Sequence, residues 1–151
     1  MKMKKTALFF VILIALVYGA VQTVQPVFHE GNDIDRATKS NDLLARLYEK
    51  GETAVPVPVS GEGRVVSILP DDEKGSRHQR FVIELDSGQT LLVAHNIDVA
   101  PRIGTLRMGD RVEFYGEYEW NPQGGVIHWT HRDPSGRHPH GWIVHNGRKY
   151  W

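Results

Sequence analysis

Ten residues, Arg111 to Trp120, alternate without a break between two kinds of side chain. Val112, Phe114, Gly116, Tyr118 and Trp120 point one way, and Arg111, Glu113, Tyr115, Glu117 and Glu119 point the other. A period of two is the pleat of a strand and does not fit the 3.6-residue period of a helix. The segment is therefore a strand with one buried and one wetted face, as antiparallel sheets have. Glycine at 116 falls on the apolar side, where it suits a bulge or sharp bend that lets a small sheet close.

Four further strands follow from the same reasoning. They are Arg64 to Leu69; Gln79 to Leu85, with Phe81, Ile83 and Leu85 on one face; Thr90 to His95, apolar on both faces and so central; and Val126 to His131. Polar, glycine-containing turns separate them, at Pro70 to Gly75, Asp86-Ser87-Gly88, Arg107 to Asp110 and Asn121 to Gly125. Asn96 to Ile103 is predicted to hold a short helix with Pro101 in its first turns. Three strands, a short helix and two more strands is the order of an OB-fold. The spacing Leu106-x-x-Gly109-Asp110-x-Val112-x-Phe114-x-Gly116 resembles the entry to the fourth strand of many such barrels. Further on, Asp133-Pro134-Ser135-Gly136 is a turn, and Trp142 to His145 and Arg148 to Trp151 flank the hairpin dipeptide Asn146-Gly147. The expected fold is mainly β: a five-stranded OB-like barrel over residues 63–151, with a short helix between strands 3 and 4, an N-terminal helix and a C-terminal β-hairpin.

Upstream, Met1-Lys2-Met3-Lys4-Lys5 is basic and Thr6 to Val21 is almost unbroken apolar sequence. Residues 1–21 therefore read as a signal peptide or a signal anchor. The expected location is periplasmic or secreted, or tethered to the inner membrane by the uncleaved segment, which would be the chain's only membrane contact. Residues 22–50 read as a spacer and an amphipathic helix capped by Asn32 or Asp33, with Ser40-Asn41-Asp42 as a point where it can divide. Residues 51–62 read as a Pro/Gly linker, because Val55-Pro56-Val57-Pro58-Val59 favours extended backbone. The chain has no cysteine, which excludes a lipoprotein anchor, disulfides, thiolate catalysis and Cys-based zinc sites. Its 18 basic and 18 acidic residues cancel, so net charge gives no case for tight nonspecific binding to nucleic acid or anionic membrane.

The unusual chemistry is concentrated late. Five of the eight histidines lie in the last 24 residues, and all four tryptophans lie at or after position 120. One reading is a site for zinc or another divalent metal drawn from His95, His131, Asp133, His138 and His140, since zinc takes three or four ligands. His128 and His131, three apart, face opposite sides of a regular strand and share a site only if it bends near Thr130. A second reading is a metal-assisted or His/Asp-dependent hydrolase, phosphodiesterase-like, with His128, His131 and Asp133 as candidate catalytic residues. A carboxylate beside His131, from Asp133 or Glu117, would raise its pKa and orient its ring. Ser135 stands near both in sequence but occupies a turn position where serine is common. The third reading is a non-catalytic binding or interaction module using a His/Trp/Arg rim of His95, Arg102, Trp129, His131, Arg132 and Trp142. OB barrels bind oligonucleotides or oligosaccharides across strands two and three, and an envelope protein is another expected class of partner.

Several segments carry a resemblance. Arg77-His78-Gln79-Arg80-Phe81, Ser87 to Asp98, Gly116-Glu117-Tyr118-Glu119-Trp120, Gly124 to His131 and Gly141-Trp142 together resemble a bacterial family catalogued as domain of unknown function 3465. The resemblance covers roughly residues 60 to 151. It implies a small exported protein with an OB-like barrel and supplies no reaction, so no catalytic role carries over from it.

Overall fold

The computed structural model describes residues 30–52 and 54–151, with side chains from Lys39 onward; the signal segment and spacer expected before residue 30 lie outside the described residues. Helix α1 (Glu30–Lys50) runs unbroken through Ser40-Asn41-Asp42, where a division was open. Strands follow as β1 (Val57–Ile68), β2 (His78–Glu84), β3 (Thr90–Asn96), β4 (Arg111–Glu119), β5 (Val126–His128), β6 (Trp142–His145) and β7 (Arg148–Tyr150).

The first five strands close in the order β1-β2-β3-β5-β4 and back to β1, with β3 and β5 parallel and the other neighbours antiparallel. That is the OB-like barrel expected from the sequence, and β6 and β7 form the expected C-terminal hairpin. The alternation of β4 holds: Val112, Phe114, Gly116 and Tyr118 are buried, while Arg111, Glu113 and Glu119 are exposed. The core also takes Val59, Val65, Phe81, Ile83, Leu91, Val93, Ile127 and Ile143, the inward positions of the other strands.

Several boundaries differ from the sequence reading, the first being that of α1, which starts at Glu30 and includes the expected caps Asn32 and Asp33. β1 begins at Val57, inside the expected linker, and Val57 to Arg64 pairs with Tyr118 to Arg111. The extended backbone that proline imposes is already close to strand geometry, and burying Val59 draws the segment into the sheet. The bulge lies in β1, between Val65 and Ser67, rather than at Gly116. The helix expected between strands 3 and 4 is reduced to one turn, closed by Ala100 N–H donating to Asn96 O at 3.2 Å. Pro101 follows, lacks an N–H and disfavours helical backbone at Ala100.

Side chains seal the barrel where that helix is curtailed. The buried Gln79 amide accepts from Ile103 N–H at 2.8 Å and donates to Ile103 O at 3.1 Å, replacing a backbone partner. At the opposite end α1 is the plug. Leu44 is fully buried there with Leu47, and burying a leucine stabilises by roughly 1.5–3 kcal/mol. Trp120 Nε1–H donates to Tyr48 O, and Tyr48 Oη–H to Pro122 O, both at 3.1 Å.

The site is positioned by the point at which β5 ends. The fifth strand, expected to reach His131, stops at His128 because Trp129 takes a left-handed backbone, φ +55°. β5 and β6 then share one edge of β4: His128 pairs with Glu117 and Trp142 with Tyr115. Residues 129–141 therefore leave a single strand line at Gly116 and return to it, forming a compact surface excursion of the Ω type. Its neck is tight. A Cβ on Gly116 would stand 2.5 Å from His128 O, and one on Gly141 would stand 1.8 Å from Trp129 O. Gly141 N–H also donates to His131 O at 2.9 Å.

Gly141→Ala is expected to destabilise the fold by about 1–3 kcal/mol, the usual range for forced overpacking. Urea denaturation measures the loss, and amide exchange should show it first in residues 129–141. An unchanged midpoint would mean that the neck can open without strain.

Candidate functional site

The excursion folds around Asp133, which is buried. Its carboxylate accepts from Ser135 N–H and Oγ–H, Arg137 N–H and His138 N–H, at 2.6 to 2.8 Å. The Ser135 hydroxyl leads in holding this carboxyl far below the ordinary range, followed by its amide and those of His138 and Arg137. Asp133 N–H donates to His140 Nδ1 at 3.1 Å. An aspartate whose oxygens already meet four donors is an anchor for a loop and a poor metal ligand or base.

The histidines divide by what their ring nitrogens meet. His95 is fully buried; Thr130 Oγ1–H donates to its Nδ1 at 2.8 Å, and its Nε2–H donates to Pro101 O at 3.2 Å. Burial lowers its pKa to about 4, and nearby His131 adds to the fall, so at neutral pH the ring is uncharged with both nitrogens occupied. His131 is buried, with Nδ1–H donating to Arg132 O at 2.7 Å. His128 lies on the outer face of β5, but its Nε2 is covered and has no hydrogen-bond partner among the described residues, with Glu119 Oε2 3.6 Å away. His145, fully buried, donates from Nε2–H to Asp110 Oδ2 at 2.8 Å.

His138 differs from the rest. Both its nitrogens donate, Nδ1–H to Pro139 O at 3.0 Å and Nε2–H to Glu117 Oε1 at 2.5 Å, which describes an imidazolium. Its pKa is raised, first by the Pro139 carbonyl and then by Glu117. The ring packs 4.3 Å from that of Trp129, whose other neighbour is His131 at 5.1 Å. The His138–Glu117 pair thus clips the excursion to the outer face of β4.

The metal set of His95, His131, Asp133, His138 and His140 does not assemble. Among the described residues no three or more His, Asp or Glu side chains are arranged to hold a metal ion. The hydrolase set does not assemble either. His128 sits on the outer barrel face, His131 bonds to a backbone carbonyl, and Asp133 bonds to its own loop. Glu117, considered as a partner for His131, is bonded to His138 instead.

The expected binding rim splits. His95 is internal, and Arg102 lies on the barrel-end connection, paired with Asp71 at 3.0 Å. Arg132 and Trp142 join a second row that the sequence did not assemble. Arg132 Cζ stands 3.6 Å over the Trp151 ring, and Lys149 Nζ lies 5.0 Å from Trp151 and 4.8 Å from Trp142. Trp142 stacks on Tyr115 at 6.4 Å, and Arg148 lies 4.9 Å from Tyr150. These aromatics occupy the β4–β6–β7 side of the barrel, while strands two and three turn out Arg80, Val82, Leu92 and Ala94. Lys149 carries no signal of its own in the sequence; its place beside Trp142 follows from the register of Lys149 with Val144.

The same cations are distinctive electrostatically. Three barrel arginines have carboxylate partners: Arg77 with Asp98, Arg102 with Asp71, and Arg111 with Glu62. Arg132, Arg148 and Lys149 have none among the described residues. Residues 132–151 hold four Lys or Arg against one Asp or Glu, 4 − 1 = +3, on a chain of zero net charge. The single acid is Asp133, buried and already satisfied. No described helix is long and apolar enough to cross a membrane.

The family model described as "Protein of unknown function (DUF3465)" matches residues 32–151, and the chain belongs to that family. No curated protein matches the chain.

Two pH effects of opposite sign follow. The pKa of His95 is depressed, so its contribution to stability is present above the unfolded value of about 6.5 and is lost as pH falls through about 4. That gap corresponds to about 3 kcal/mol, visible as a falling urea midpoint between pH 7 and pH 4 that flattens in His95→Gln. The pKa of His138 is raised, so its clip is fully present below about 6.5 and weakens at higher pH. Amide exchange in residues 129–141 should therefore quicken between pH 6 and pH 9 beyond the intrinsic base dependence, and His138→Gln should remove the excess. Equal excess in the variant would sink the clip.

Proposed function

We propose that this family member is a non-catalytic binding module of the bacterial envelope, whose ligand face is the tail hairpin and the excursion beside it. The row Arg132–Trp151–Lys149–Trp142–Tyr115 carries this reading. Each cation–aromatic contact contributes only about 0.5–1 kcal/mol at an exposed site, so the row is a weak reason for the fold to retain it. It is well suited to recognition. A guanidinium lying on an indole still presents its N–H edges outward, and its side chain is ordered before any ligand arrives. The cations lack acidic neighbours, so an anionic group meets them without displacing an internal partner.

Export is supported by the basic start and apolar run of residues 1–21, which lie outside the described residues. The hydrolase reading has no His–carboxylate dyad among the residues proposed for it, so the binding reading is preferred.

The test is to screen the full-length protein in non-ionic detergent against oligosaccharide and oligonucleotide arrays, then to map each bound probe by amide exchange. Protection is expected within residues 129–151 and β4, with fractionation placing the protein in the envelope. Protection confined to β2 and β3, or a cytoplasmic protein, would overturn the reading.

A further inference from the structure

The face holds more than cations, and its mixture narrows the ligand. The register places Glu62, Glu113, Val144 and Lys149 in one row across β1, β4, β6 and β7. The next row is Ser60, Tyr115 and Trp142. Glu62 is held by Arg111, whereas Glu113 is exposed and has no cationic partner among the described residues. Strands lie about 4.8 Å apart, so Glu113 stands two strands, roughly 10 Å, from Lys149 on the same surface. Trp142 and Tyr115 fill the neighbouring row, with Arg132 and Trp151 beyond them.

An unpaired carboxylate set about 10 Å from a cluster of cations discriminates between polyanions. A phosphodiester chain repeats its charge at every unit, so a strand anchored on Arg132 and Lys149 would bring a phosphate toward Glu113. A glycan in which acidic and neutral sugars coexist meets no such conflict. Its carboxylate takes the N–H edges of Arg132 and the ammonium of Lys149, in the bidentate geometry that guanidinium favours. Its neighbouring hydroxyls donate to the Glu113 carboxylate, and its C–H faces lie against exposed parts of Trp142 and Trp151. Oligosaccharide binding is also within the range of the barrel type, though across strands two and three rather than here.

From this arrangement we infer that the tail face binds a carboxylate-bearing oligosaccharide, with Arg132 and Lys149 on the acid group and Glu113 accepting from sugar hydroxyls. The inference rests on the binding reading above and adds the class of ligand.

The sign of one substitution tests it. Full-length protein in non-ionic detergent is titrated by calorimetry with a hyaluronan oligosaccharide, in which glucuronate alternates with a neutral sugar, a neutral chito-oligosaccharide and an oligothymidylate. Expected are binding of the hyaluronan oligosaccharide, little binding of the neutral sugar, and at least a tenfold loss in Arg132→Ala and in the exposed Lys149→Gln. Glu113→Ala should weaken binding of the hyaluronan oligosaccharide severalfold. Unchanged urea midpoints confirm that the variants fold. If oligothymidylate binds more tightly and Glu113→Ala strengthens it, the glycan assignment is wrong while the tail face stands as a binding site. If the hyaluronan oligosaccharide binds but neither cation variant changes its affinity, or if no probe binds, both the assignment and the binding reading fail.

Discussion

Glycine at 116 leaves room for the His128 carbonyl, and the architecture turns on that clearance. β4 is bonded to β1 along one edge. Its other edge is shared, β5 taking Glu117 to Glu119 and β6 taking Val112 to Tyr115. Gly116 is the gap between them. With a side chain there, the partner strand could not pass so close before turning away at Trp129. The same strand that closes the barrel therefore launches the excursion and receives the hairpin that follows it.

Around that junction, His128 Nε2 and Trp129 Nε1 are buried without a hydrogen-bond partner among the described residues, but three other buried polar side chains are matched with partners chosen by the chain's own turns. Gln79 imitates a peptide group for Ile103, His95 bridges Thr130 and Pro101, and Asp133 gathers the amides of its loop. Each is a polar residue drawn into a place where water is largely excluded, and each is bonded as such burial requires. The tail cations are the contrast. They are ordered on aromatic rings but have no internal countercharge among the described residues, which makes their face the part of the molecule best disposed toward an outside partner.

Much of the barrel was legible because period-two alternation is a local property. β4 shows it residue by residue, and Phe81, Ile83 and Leu91 occupy the core positions that their strands require. The hairpin was legible because Asn146-Gly147 carries its own backbone preference, with φ of +50° and +73°. The excursion was less so. Val126 to His131 keeps strand-like composition past the point where the strand ends, because the left-handed turn at Trp129 is imposed by Gly141 approaching from twelve residues away. The start of β1 was read as a linker for a related reason: proline-rich extended backbone becomes a strand only when β4 offers it an edge.

The sequence by itself determined the strand count, the closed barrel, the absence of thiol chemistry and the crowding of histidine and tryptophan into the tail. Those follow from side-chain periodicity, turn preference and composition, which act within a few residues. Only the tertiary structure decided which histidines were spent on the interior, that Glu117 holds His138, and that Lys149 lies beside both Trp142 and Trp151 and shares Trp151 with Arg132. Contacts of that kind depend on strand register and on where one loop leaves its strand, and neither is written in the identity of the residues that meet.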